Sequence, residues 1–263
     1  AVGIFWLVRI MSYFGRVGKD KIFMDSLNTA YAEKVLTKKG IFIKRRVSIA
    51  SVLILAAIVL SFDFRFDGVN VIPDLLTIPL FAVALSMLGK VVKVSKIKSA
   101  IFCTLAGVGF AAYYVMELIF QQKFYNNGLE IIWRDEVAME LYIITLALAV
   151  LAGVAFVLLA GFALRCYSGV ISLATEPDIT DERNARLAIS FAEENKKRLD
   201  KRLIVCFAAV LACAAADICY AAFSKAFGAM FLINTVSVIA LFIIFFNFYL
   251  LLGSTLQDKY KLE

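Results

Sequence analysis

Four carboxylates interrupt stretches that are otherwise apolar: Asp74, Glu117, Glu140 and Asp217. Asn234 interrupts a fifth. Ionisable groups within hydrocarbon are costly, so each marks a candidate site. Burial penalises the charged form of a carboxyl, and a bound cation or proton relieves that penalty. The chemistry to expect is therefore a site for a cation, a proton or a cationic solute. The competing account is structural: an acid near a helix end reaches water by extending its side chain. The elements that carry the acids decide between the two.

Those elements read as membrane spans. The chain has 263 residues, 62% hydrophobic and 19% charged, where soluble domains have about 45–50% and about 25%. Its mean hydropathy is +0.84. Crossing a hydrocarbon core of about 30 Å takes roughly 20 helical residues. Six stretches meet or approach that length: about 47–62, 68–88, 99–120, 137–164, 202–223 and 229–252. The fold class expected is all-α, a polytopic integral membrane protein of six transmembrane helices. An amphipathic segment, 1–46, precedes the six-helix domain at 47–263.

Lysine and arginine orient the spans, because cytoplasmic loops concentrate them. Ten lie in 1–46, four between the second and third spans, eight in 165–202 and two in the tail. The other side receives only Arg65, Lys123, Arg134 and Lys225. Both termini are thus expected in the cytoplasm, in a bacterial cytoplasmic membrane. The net charge of +7 then forms a band facing anionic headgroups, so the lipid bilayer is the partner and nucleic acid is not.

With that orientation all four acids fall in the outer third of the membrane, and Asn234, Tyr113, Tyr114, Tyr142 and Tyr220 lie at similar depth. Asp217 is the deepest acid relative to its helix end. It shares a helix face with Cys206, Ala209, Cys213 and Tyr220, beside an Ala208–Ala212–Ala216 ladder. Cys103, Gly107, Ala111 and Tyr114 lead towards Glu117, and Ala149 with Gly153 makes another small pair. Small residues four apart allow close helix approach. For Glu117 and Glu140, about a turn from the interface, the structural account weighs more. For Asp217 and Asn234 the two stand even.

Pro73 and Asp74 together read as a helix start. Pro79, about a turn and a half further on, is expected to kink the second span and leave the Leu75 carbonyl without its usual partner. Two cytoplasmic elements complete the layout. Residues 20–40 place Phe23, Leu27, Ala30, Tyr31 and Val35 at helical spacing, with Gly40 as a stop. In the linker 165–201, Thr175 caps a helix start with Pro177 in its first turn. Leu187, Phe191 and Leu199 then form an apolar stripe on a charged helix that runs into the fifth span. That stripe could dock a partner, such as a cytoplasmic ATPase or another complex subunit.

Catalytic and cofactor motifs are absent. There is no histidine, no P-loop, no HExxH and no Gly-x-Ser-x-Gly elbow. The five cysteines form no CxxC pair, so neither a disulfide framework nor a metal site is expected. No enzyme activity and no cofactor follow from this inventory. The opening AVGIFWLV is too short to span and lacks the flanks of a signal peptide.

The segment VNVIPDLL, residues 69–76, resembles an Ile-x-Ile-x-Pro-Asp segment of bacterial polytopic membrane proteins, with Leu75-Leu76-Thr77 in place of their glycine-containing continuation. The layout, an interfacial helix before six modest spans with both ends inside, is similar to that of ABC-2-type permeases. The segment implies no activity, and the layout implies a transporter or a transporter's membrane subunit; the depth of the acids adds the expectation of an acidic outward-facing site at Asp217, Glu117, Asp74, Glu140 and Asn234. The alternative is a non-catalytic scaffold acting through 1–40 and 165–201.

Overall fold

Apolar runs bounded by charged or turn-forming residues fold into six principal helices among the residues described by the computed structural model, which are 21, 24–26, 38–61, 65–66, 69–70, 74–124, 134–177, 185–223 and 229–260. They are α1 (Lys38–Leu60), α2 (Thr77–Leu88), α3 (Lys96–Phe124), α4 (Glu136–Ala174), α5 (Ala185–Phe223) and α6 (Ala229–Tyr260). A short antiparallel ladder, β1 (Arg65–Phe66) and β2 (Val69–Asn70), and a 3-10 turn at Asp74–Leu76 lie between α1 and α2. Most of the expected helical segment 1–37, and Pro73, fall outside the described residues.

Four helices are long and apolar enough to cross a membrane: Lys96–Phe120, Glu136–Ala174, Ile189–Ala222 and Met230–Tyr260. Between 11% and 33% of each apolar window is buried inside the bundle. Most of that apolar surface therefore faces outward, as lipid requires and water does not tolerate over large patches. The molecule is a polytopic helical membrane protein.

Each helix packs on its neighbours in sequence, and α6 closes the ring by packing on α1. Helix α4 also reaches α2 and α6. It begins at Asp135, whose carboxylate accepts from the backbone N–H groups of Val137 (2.9 Å) and Ala138 (3.4 Å), satisfying donors that a helix start leaves open. Its inner face alternates small and large residues, among them Ala152, Phe156, Leu159, Ala163 and Tyr167. Tyr167 is fully buried, edge-on to Phe245 and Phe248 of α6. Its hydroxyl lies 2.7 Å from that of Ser51 on α1, also buried. Tyr167 thus ties three helices at the core, α1 through its hydroxyl and α6 through its ring.

Close approach depends on glycine. A Cβ on Gly109 of α3 would sit 3.2 Å from the Ala152 Cα, and one on Gly153 of α4 would meet Ile218 of α5 at 3.1 Å. The first obstacle is backbone and cannot swing aside. Gly109→Val should therefore force α3 from α4 and destabilise the fold by about 1–3 kcal/mol. A lowered thermal unfolding midpoint in detergent, relative to Gly107→Ala, checks this. Gly107 faces only Ile78, at 3.9 Å.

Several boundaries differ from expectation. Helix α1 starts at Lys38 rather than near 47, and Gly40 lies buried in its first turn instead of stopping the preceding helix. Packing on α2 and α6 outweighs the roughly 1 kcal/mol that glycine forfeits within a helix. The second span, expected from 68, opens with strand Val69–Asn70 paired to Arg65–Phe66. Asp67-Gly68 between them is a hairpin signal that outranks apolar content.

Pro79 stands closer to a helix start than expected, just after the 3-10 turn Asp74–Leu76. It occupies the first turn of the α-helix that starts at Thr77, where a missing N–H has no intrahelical partner to lose. Thr175 ends α4 rather than starting the next helix. Its N–H (2.9 Å) and its hydroxyl (2.8 Å) both donate to the Ile171 carbonyl. Residues 165–174, assigned to the linker, stay helical because Cys166, Tyr167, Val170, Ile171 and Ala174 are buried. The charged helix does run unbroken into the apolar part of α5.

Contacts place the basic helix ends together. Lys44 of α1 donates to Gln257 of α6 (2.8 Å), and Arg46 reaches Met87 at the end of α2 (2.9 Å). Lys259 of α6 donates to the Leu173 carbonyl near the end of α4 and stands 4.0 Å from Glu176, a cation where a helix dipole ends negative. The acid-bearing segments occupy the opposite end.

Candidate functional site

Asp74 and Asp217 are far apart in sequence, yet they line one small cavity of about 40 Å³. The 3-10 turn before α2 supplies Asp74, where the Thr77 hydroxyl donates to the Asp74 carbonyl at 2.6 Å. Helix α5 supplies Asp217, held at the α4–α5 contact where Gly153 admits Ile218. Phe110 and Tyr113 of α3, Ala149, Ala152 and Phe156 of α4, and Tyr220 and Ala221 of α5 form the remaining wall. Two carboxylates thus meet tyrosines and apolar side chains within an otherwise close-packed bundle.

The site extends towards α6 through groups that spacing alone did not single out together. Cys213 lies one turn from Asp217 and within electrostatic reach of both Asp217 and Asp74. The Ser237 hydroxyl sits 3.8 Å from the Cys213 sulfur and donates to the Asn234 carbonyl at 2.7 Å. Asn234 itself is 3% exposed. Ser237 escaped the sequence reading because one serine in a long apolar run carries no motif. Its three-residue step from Asn234 was the available signal.

The other two acids behave differently. Glu117, one turn past Tyr113 on α3, is buried at 9% exposure. Nearby, Phe120 packs on Tyr142, ring centroids 6.2 Å apart. The Tyr142 hydroxyl donates to the Ala222 carbonyl of α5 at 2.5 Å, closing this end of the bundle. Glu140 is exposed and stands apart from the cavity. At about 100° per residue it is roughly 180° around α4 from the buried Ala149.

No family model, known protein or solved structure matches the chain. The arrangement must therefore be read from its own chemistry. Among the described residues no group of three or more His, Cys, Asp or Glu side chains could hold a metal ion. What the cavity offers is two carboxylates with tyrosine neighbours, a set able to hold and pass a proton or to ligate one small hard cation through oxygen.

The docking stripe divides. Leu199 is 1% exposed and belongs to the core, whereas Phe191 is 65% exposed. The Leu187 side chain lies outside the described residues.

Proposed function

We propose that the protein is a membrane transporter, or the membrane subunit of one, whose Asp74–Asp217 cavity takes a proton or a single small cation. The shared cavity is the observation that supports this reading most. Two carboxylates facing one enclosed space disfavour the doubly charged state, and a proton or cation relieves it. A volume of about 40 Å³ exceeds the roughly 10–15 Å³ needed to admit one water. A proton or a bare ion fits that space, and an organic cation would need the helices to part. Flux of protons or small monovalent cations into vesicles bearing the purified protein tests it, with Asp217→Asn as the variant.

The reading includes six spans, with both termini in the cytoplasm of a bacterium. Helix α1 covers about 34 Å along its axis and Asp74–Leu88 about 23 Å. The second falls short of the hydrocarbon core, so the β1–β2 hairpin would complete that crossing at the outer interface. In a background lacking the native cysteines, a cysteine at Lys225 should react with an impermeant reagent in intact cells and one at Lys90 should not. The reverse pattern would invert the topology.

A second reading has one observation in its favour, Phe191 exposed on the charged early turns of α5. There a cytoplasmic partner would dock, and the protein would act as its membrane scaffold.

A further inference from the structure

A second, larger cavity lies away from the acids, at the basic end. It is an open groove of about 1230 Å³ between the α2–α3 loop, α3, α4 and α5. That exceeds the roughly 300–1,000 Å³ of ordinary small-molecule pockets. Its two ends differ in chemistry. One part is apolar, lined by Phe102, Val157, Leu158, Ile204 and Phe207. Phe102 packs on Phe162 with ring centroids 5.1 Å apart, and Gly161 lies beneath Phe207, where a Cβ would come within 3.2 Å of the ring. The rim carries Lys93, Lys98 and Arg165, and no acid lines the groove. All three cations are exposed.

We infer that this groove binds one anionic glycerophospholipid, its phosphate among Lys93, Lys98 and Arg165 and an acyl chain along α4 and Phe207. The dimensions agree. From Val157 to Arg165 is about 12 Å along α4, close to the roughly 15 Å of hydrocarbon in one leaflet. Charge selects the headgroup, because three cations without an acid in the lining suit a phosphate that carries net negative charge. A zwitterionic headgroup would bring its own cation against them. A docked helix would have to supply several acids beside an apolar face. A lipid meets both demands and already surrounds the groove. The inference is independent of the acid site; the proposed topology only names the cytoplasmic leaflet as the one that donates the lipid.

The test uses the full chain in vesicles of equal parts phosphatidylglycerol and phosphatidylcholine, extracted gently and examined by native mass spectrometry. Wild type should retain one phosphatidylglycerol in preference to phosphatidylcholine. The variant Lys93→Gln, Lys98→Gln, Arg165→Gln should lose that retention by on the order of 100-fold, at about 1 kcal/mol per basic residue near an anionic surface. A charge-matched control, Lys196→Gln, Lys197→Gln, Lys201→Gln, should retain the lipid as wild type does. Equal loss in both variants would reduce the effect to general surface attraction and overturn the site. Equal retention of the two lipids by wild type overturns it without any variant. Displacement of the lipid by glycerol phosphate alone would overturn the role of the acyl groove.

Discussion

Asp217→Asn is expected to lower the apparent affinity for the transported proton or cation by about 10–150-fold, with the bundle intact. Asparagine keeps the size of the side chain, removes the charge and replaces one acceptor oxygen with an NH2 donor. Interactions with a charged group contribute about 1.5–3 kcal/mol, and each 1.4 kcal/mol is about tenfold. Because Asp74 lines the same cavity, Asp74→Asn should give a loss of similar size. The double variant should fall short of the sum, since groups that share a ligand are not additive. Glu140→Gln is the matched control: its side chain is exposed, and flux should not change. Concentration-dependent flux into vesicles compares all four variants with wild type. Wild-type flux in Asp217→Asn, or equal losses in Asp217→Asn and Glu140→Gln, would reduce the acid layer to helix ends reaching for water.

The largest loss of stability should come from Tyr167→Ala. Tyr167 is fully buried against Phe245 and Phe248, and its hydroxyl pairs with that of Ser51. Truncating a buried aromatic leaves a cavity and costs about 3–5 kcal/mol. Tyr167→Phe keeps the ring and removes only the hydrogen bond. Such bonds between membrane helices average about 0.6 kcal/mol and reach about 1.7. Unfolding in detergent should therefore rank alanine far below phenylalanine. The cycle with Ser51→Ala isolates the bond. Tyr167→Phe together with Ser51→Ala should be less destabilised than the two single changes added, because no buried hydroxyl is then left without a partner. A strictly additive cycle would show that the pair contributes nothing through its bond.

How much of this was legible in the sequence varies with the kind of information. The apolar content of α3 to α6 marks them as membrane-spanning, because transfer into lipid is summed residue by residue along a helix. The Cys206–Cys213–Asp217–Tyr220 face emerges as read, with Cys206, Cys213 and Tyr220 buried, since helical spacing alone defines a face. Gly153 of the Ala149–Gly153 pair does meet α5, at Ile218, because lack of bulk is a local property that any partner can use. The neighbouring Ala208 and Ala212 are exposed, although their spacing is the same. Spacing says that a helix could approach and leaves open whether one does.

Boundaries went wrong where local signals competed. Thr175-Glu176-Pro177 has the composition of a helix start, yet burial of Val170, Ile171 and Ala174 carries α4 through to that threonine. Pro79 seemed to be mid-helix only because the span was begun at 68. Once β2 takes Val69–Asn70, the same proline falls in the first turn of the α-helix that starts at Thr77. In both cases the residue chemistry was read correctly and the register was not, since register depends on which neighbours the segment meets.

Composition along the chain marks lipid as the solvent, and the charge pattern gives the acids an expected depth, because both act on each residue separately. The azimuth of each acid depends on which helices touch. Gly109 against Ala152 and Gly153 against Ile218 set those contacts, and they turn Asp217 to the cavity it shares with Asp74. Glu140, at a comparable expected depth, is left facing outward. That difference between two similar carboxylates exists only after the helices have packed.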